Sequence, residues 1–231
     1  MFCNMVTLDC LRVGIARQLS IPESAIKPVI ENETAPLMEP DVILVASYVD
    51  NGNIIAPTRA RAAAALQGFL AELRRRNLVY HEVVEPTQHI TICGALFDFA
   101  TFYVMPSPAR AWRLYSATRE LAEMGGSTPA AVQIYLGHLV HHFMLLRPAL
   151  AAVDLLYGIA HRSGRAFTCF SPDTIAELRT IKGLIFLAGV QLNLPWAEVA
   201  YCSDACLSDY AVSEAQVSYE EAASAGLIRE R

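Results

Sequence analysis

An α+β fold is what this 231-residue sequence predicts, on three observations. β-branched and aromatic runs punctuated by turn formers crowd the first half, as strands and hairpins require. Three hydroxyl–proline pairs, Ser107-Pro108, Thr128-Pro129 and Ser171-Pro172, announce helices in the second half, because the hydroxyl caps free amides and proline suits the first turn. A hydrophobic share of 54% against 18% charged belongs to a folded body that buries a core.

Taken in order, Val6, Leu8, Leu11, Val13 and Ile15 recur at roughly helical spacing and predict a helix from Val6 to Leu19. Pro22, Pro28, Pro36 and Pro40 then break the region up to Asp41, which reads as an irregular loop. The run from Val42 to Ala56 predicts a hairpin, since two apolar β-branched stretches flank Asp50-Asn51-Gly52 and Asn-Gly tolerates positive φ. Asp50 is expected at its tip, and all three residues are also ordinary turn formers.

After Pro57-Thr58, the positions Ala62, Leu66, Phe69, Leu70 and Leu73 mark the inner face of a helix. Its other faces carry Arg59, Arg61, Arg74, Arg75 and Arg76. Such arginines suit a solvated turn at the negative end of the helix dipole, or contact with backbone phosphates. Gln88 to Cys93 and Ala95 to Met105 predict a second hairpin around Gly94, with Asp98 a turn or edge residue.

The helix from Pro129 carries His138, His141 and His142. His138 and His142 share a face at i, i+4, which suits a zinc pair; without a third ligand, packing or phosphate-facing roles are preferred. Arg147-Pro148 ends that helix, another helical run reaches His161, and Asp173 to Leu187 is amphipathic with Ile175, Leu178, Ile181, Leu184 and Ile185 inward. Leu194-Pro195-Trp196 breaks the helical region before a strand, Val199 to Ser203, that leads to Asp204. That aspartate either caps a turn or serves as a metal ligand.

Composition excludes some classes. A net charge of -5 gives no global nucleic-acid signature. The six cysteines, Cys3, Cys10, Cys93, Cys169, Cys202 and Cys206, are scattered, so reduced thiols are expected in place of a disulfide framework. The start of the chain lacks the cationic and apolar regions of a signal peptide, and no stretch nears the roughly 18 apolar residues of a membrane span. The expectation is a soluble protein, cytoplasmic or nuclear, not secreted, with no membrane partner.

Tyr48-Val49-Asp50-Asn51 resembles the Tyr-x-Asp-Asp box of a retroelement reverse transcriptase. The order that follows is similar: a basic amphipathic helix, a short hairpin, then Ser127 to Phe143, which resembles the thumb segment of long-terminal-repeat retrotransposon polymerases. Tyr201 to Val212 resembles the opening strand of the tethered ribonuclease H domain. The resemblance implies a partial polymerase palm over 1–106, a helical thumb and connection over 107–195, and an incomplete ribonuclease H-like start over 196–231.

It also implies roles. Asp50 would be catalytic and bind Mg2+, with Tyr48 and Asn51 beside it in the box; Asp204 would be the first metal ligand of the ribonuclease H start. Arg74, Arg75 and Arg76 would contact nucleic acid. The partners implied are an RNA/DNA primer-template duplex and dNTP, with self-association through an exposed sheet edge. Departures accompany these: Asn51 replaces the second carboxylate, no lysine stands near Val84, and the upstream strand with the first catalytic aspartate, and the Leu-Pro-x-Gly segment, are not in the chain. The expectation is a fragment of an RNA-directed DNA polymerase, inactive alone, whose complete parent performs nucleotidyl transfer with two metals. The alternative is a non-catalytic nucleic-acid or protein interaction module derived from a retroelement.

Overall fold

A computed structural model describes residues 2–30, 33, 36–37, 39–49, 51–162, 166–205 and 209–226. It is α+β, and the chain divides into two compact units: Met1–Thr87 with Pro195–Arg231, and Gln88–Leu194.

The first unit begins with helix α1 (Phe2–Leu19) and contains a three-stranded sheet ordered β1-β2-β3, namely Ile26–Val29, Ile43–Tyr48 and Asn51–Ile55. β1 runs parallel to β2 and β2 antiparallel to β3. β1 lies in the region expected to be an irregular loop. Pro28 pairs with Val45 there, and this is tolerated because β1 is an edge strand, where a missing amide need not break a ladder. Helix α2 (Arg59–Arg75), capped by the Thr58 hydroxyl accepting from the Arg61 amide, completes this layer. Leu11 and Ile15 of α1, Ile43 and Val45 of β2, and Phe69 and Leu70 of α2 share one core.

α1 and α2 meet backbone to backbone at Gly14 and Gly68. A Cβ on Gly68 would lie 2.5 Å from the Gly14 carbonyl oxygen, and one on Gly14 would strike the Gly68 carbonyl and stand 2.8 Å from Glu72 Cβ. Just beyond this crossing, the Glu72 carboxylate is buried. Its Oε1 accepts from Arg75 Nη2 at 2.6 Å and Arg76 Nε at 2.7 Å. Its Oε2 accepts from Arg75 Nε at 2.9 Å and from Arg17 Nη1 of α1 at 2.7 Å. Arg76 also pairs with Asp9 of α1 at 2.7 Å. Two arginines from the C-terminal end of α2 and one from α1 therefore close over a single carboxylate.

Residues Val199–Ala205 (β10) and Tyr210–Gln216 (β11) form a separate antiparallel ribbon, followed by α7 (Tyr219–Gly226). Every residue of β11 is exposed. Cys206 lies outside the described residues.

The second unit holds a four-stranded antiparallel sheet ordered β4-β5-β6-β9: His89–Ile92, Ala95–Asp98, Tyr103–Pro106 and Val190–Gln191. The hairpin expected around Gly94 is present, with Cys93 and Gly94 both at positive φ (51° and 81°) between the paired Ile92 and Ala95. The run from Ala95 to Met105 divides into two strands, because Asp98 makes a turn: its carboxylate accepts from the amides of Ala100 and Thr101 and from the Thr101 hydroxyl.

Helices α3 (Pro108–Met124), α4 (Pro129–Phe143) and α6 (Pro172–Leu184) start at the three hydroxyl–proline pairs. Thr128 and Ser171 accept from Ala131 and Thr174 amides, whereas Ser107 makes no side-chain cap. With α5 (Leu155–Ala160) and the short strands β7 (Gly126–Ser127) and β8 (Thr168–Cys169), they complete the unit. Leu114, Leu139, Phe143, Leu156, Leu178 and Ile181 are among its core residues.

Polar groups inside this core are paired between helices. Thr118 donates to the Leu114 carbonyl at 2.7 Å, so the Tyr135 hydroxyl donates to Thr118 at 2.8 Å. Glu177 of α6 accepts the amides of Asp154, Leu155 and Leu156, and so caps α5. Among the described residues, no helix is long and apolar enough to cross a membrane.

The helix crossing sets two expected outcomes. Gly68→Ala forces a methyl onto the Gly14 carbonyl and should lower stability by about 1–3 kcal/mol, the usual cost of overpacking, read as an earlier denaturation midpoint. Hydrogen bonds from Arg75 lead those that hold the Glu72 carboxyl at about 2, below its ordinary 4.5. A depressed folded-state pKa means that the stabilisation is complete above the unfolded value and fades as pH falls from about 4.5 toward 2. Urea midpoints across that window should fall more steeply for the parent than for Glu72→Gln.

Candidate functional site

The Tyr-x-Asp-Asp-like box falls where β2 turns into β3. Tyr48 pairs with Asn51, and Ser47 with Gly52, so the connection lies between Tyr48 and Asn51. This shifts the turn from the Asn51-Gly52 step that dipeptide propensity favours. Asn51 and Gly52 are the first residues of β3.

Gly52 has a packing reason to be glycine. A Cβ there would stand 2.8 Å from Cζ of Phe69 on α2 and 3.4 Å from Cγ2 of Thr7 on α1. The Ser47 hydroxyl donates to Asn4 Oδ1 of α1 at 3.3 Å. The hairpin thus rests on both helices of the crossing through the Ser47–Gly52 pair next to its turn.

Its tip is exposed and bent. Tyr48 is 61% and Val49 56% exposed, and Val49 adopts φ +58°. A β-branched residue is strained in the left-handed region, where Cβ crowds the following carbonyl. Backbone strain of this kind gathers at functional turns. Asp50 itself lies outside the described residues, and Asn51 is exposed beside it.

The three arginines assigned to nucleic acid divide by role. Arg75 and Arg76 are committed to Glu72, and their guanidinium pKa values are raised by those bonds. Arg74 donates to the Tyr80 hydroxyl at 2.6 Å, with its guanidinium carbon 5.6 Å from the Tyr80 ring centroid. Glu72 is the residue that sequence pattern does not single out. Its i+3 and i+4 arginines are readable as helix pairs, but Arg17 stands 55 positions away.

Asp204 lies within β10, exposed and opposite Ala211, while Glu214 stands opposite Tyr201. His142 is buried and its Nε2 meets the Ile185 carbonyl oxygen at 2.8 Å; burial lowers its pKa, and His138 and His141 are exposed. Among the described residues, no three His, Cys, Asp or Glu side chains gather as a metal group. From the box, the described part contributes the neutral Asn51 amide, and no second carboxylate stands across the ribbon from Asp204. An open cleft of about 580 Å3 in the second unit is lined by Tyr157, His161, Arg162 and Cys169 among others, and by none of the candidate residues.

No protein-family model, curated protein or solved structure matches the chain.

Because Val49 carries the strain, Val49→Asn should raise stability by about 1 kcal/mol, asparagine being tolerant of this conformation. A denaturation midpoint that is unchanged or lowered would place the strain elsewhere.

Proposed function

We propose that the chain is a segment of a retroelement reverse transcriptase, with the active-site hairpin of its palm, its thumb, and the opening ribbon of its ribonuclease H region. The observation that carries this reading is the position of the box: Tyr48-Val49-Asp50-Asn51 spans the connection of an antiparallel hairpin that rests on two helices through the pair next to its turn. Such a seat fixes the hairpin while its tip stays open to solvent, which is what presenting a carboxylate to a nucleotide and a primer end demands. The helical unit with its hydroxyl–proline starts, and the ribbon bearing Asp204, follow in the order the resemblance implies.

Phosphoryl transfer of this class depends on carboxylates that hold Mg2+ and neutralise phosphate oxygens. Asp50 is the carboxylate retained in the box, and Asn51 offers an amide oxygen without charge. The segment alone is therefore inactive in this reading, and RNA-directed DNA synthesis belongs to a longer polymerase that supplies the remaining ligands.

The alternative, a non-catalytic interaction module derived from such an element, is favoured by the commitment of Arg75 and Arg76 to Glu72 and by the neutral Asn51. Primer extension separates the two. In a longer chain with the upstream palm strands restored, Asp50→Ala should abolish Mg2+-dependent extension and Asn51→Asp should increase it. Extension that survives Asp50→Ala removes Asp50 from the chemistry, and a chain inactive under every variant favours the module.

A further inference from the structure

Three aromatic rings meet on an open face of the second unit. Trp112 and Tyr115 of α3 lie with centroids 5.6 Å apart, and Phe186, just past α6, stands 4.8 Å from Trp112 and 5.4 Å from Tyr115. Trp112 is 60% and Phe186 49% exposed, and Leu187 beside them 63%. Exposed apolar surface gathered in this way marks an interaction site.

Cations border the rings. Lys182 Nζ is 6.0 Å from the Tyr115 ring centroid. Arg179 lies three residues before Lys182 on α6, one helical turn away. Among the described residues Arg179 makes no ion pair. Of the acidic side chains on α3 and α6, Glu123 pairs with Arg119 at 3.6 Å and Glu177 accepts the α5 amides. In a chain of net charge -5, Lys182 brings a positive charge to the rings.

We propose that this face binds single-stranded nucleic acid, bases stacking on Trp112 and Phe186 and phosphates meeting Lys182 and Arg179. Every nucleotide brings a flat ring for an aromatic and an anion for a cation, so a strand of any sequence satisfies both kinds of group. An acidic peptide would need separate aromatic and carboxylate anchors in matching register. The site is independent of the hairpin and of the polymerase reading, because it takes one unpaired strand on α3 and α6 and needs no metal.

The test uses the full chain and a short fluorescein-labelled oligo(dT), followed by anisotropy and by quenching of tryptophan emission over a series of salt concentrations. Binding should be saturable and weaken with salt. Trp112→Ala should weaken it about tenfold or more, the usual effect of removing one stacked base, while Trp112→Phe retains most of the affinity. Arg179→Ala with Lys182→Ala should reduce the slope of log affinity against log salt by about 0.7 for each phosphate no longer neutralised. Thermal melting of each variant establishes that it is folded. Absence of binding at low salt overturns the proposal, as does a folded Trp112→Ala that binds like the parent. If Trp112→Ala does not fold, an unchanged salt slope in the double variant overturns it. Tighter binding of a poly-glutamate peptide containing phenylalanine, abolished by Trp112→Phe or by the double variant, overturns it in favour of a protein partner.

Discussion

The contact of α1 with α2 at Gly14 and Gly68 governs the first unit. Without side chains at those positions the two backbones touch, and every other contact between the helices inherits that spacing. Glu72 then sits too close to α1 to keep its own water, and three guanidinium groups replace that water. The cover is charged, not apolar, and the arginines remain partly in solvent: Arg17 and Arg75 side chains are 60% and 57% exposed. The four charge-assisted hydrogen bonds outweigh the desolvation that burial imposes, since the carboxyl is held at about 2.

The hairpin depends on that crossing. Gly52 is pressed against Phe69 and Thr7, one residue from each helix. A hairpin held against a pair of helices by the residues next to its turn can carry a strained residue in the turn, because those residues do not yield to relieve it. Val49 is such a residue. The same logic places the ring of Phe69, more than the Asn-Gly dipeptide, behind the glycine at 52. A turn residue by composition is a packing residue by position.

Local signals account for what is legible in the sequence. The α+β class, the two hairpins and the helices after Ser107, Thr128 and Ser171 follow from periodicity, capping and turn chemistry, each decided within a few residues. The strand Ile26–Val29 is hidden because prolines mark a loop unless the strand happens to be an edge, and edge status is a property of the sheet. The register of the hairpin is hidden because Asn51-Gly52 is a better turn by propensity than Val49-Asp50; packing on Phe69 outweighs it. Of the candidate residues, Tyr48 and Asn51 come together across the turn, and Arg74 to Arg76 are divided between Tyr80 and Glu72. Side chains separated by many residues leave no mark on local pattern, so the bond from Arg17 to Glu72 is invisible to it.

Where the cations go bears on any partner carrying phosphate. An arginine run at a helix end reads as a phosphate site only while its charges are unspent, and Arg75 and Arg76 are spent on a carboxylate within their own unit. Releasing them would leave the buried Glu72 carboxylate with Arg17 as its remaining guanidinium partner, so a phosphate would have to outcompete the existing charge-assisted hydrogen bonds to recruit them. Arg61 is likewise held, donating to the Asp41 carbonyl at 2.7 Å. Among the described residues Lys182 and Arg179 make no ion pair, and Lys182 stands beside rings that solvent already reaches. In a chain with more acids than bases, affinity for an anion is set by which cations remain uncommitted, and clustering in sequence is a poor guide to that.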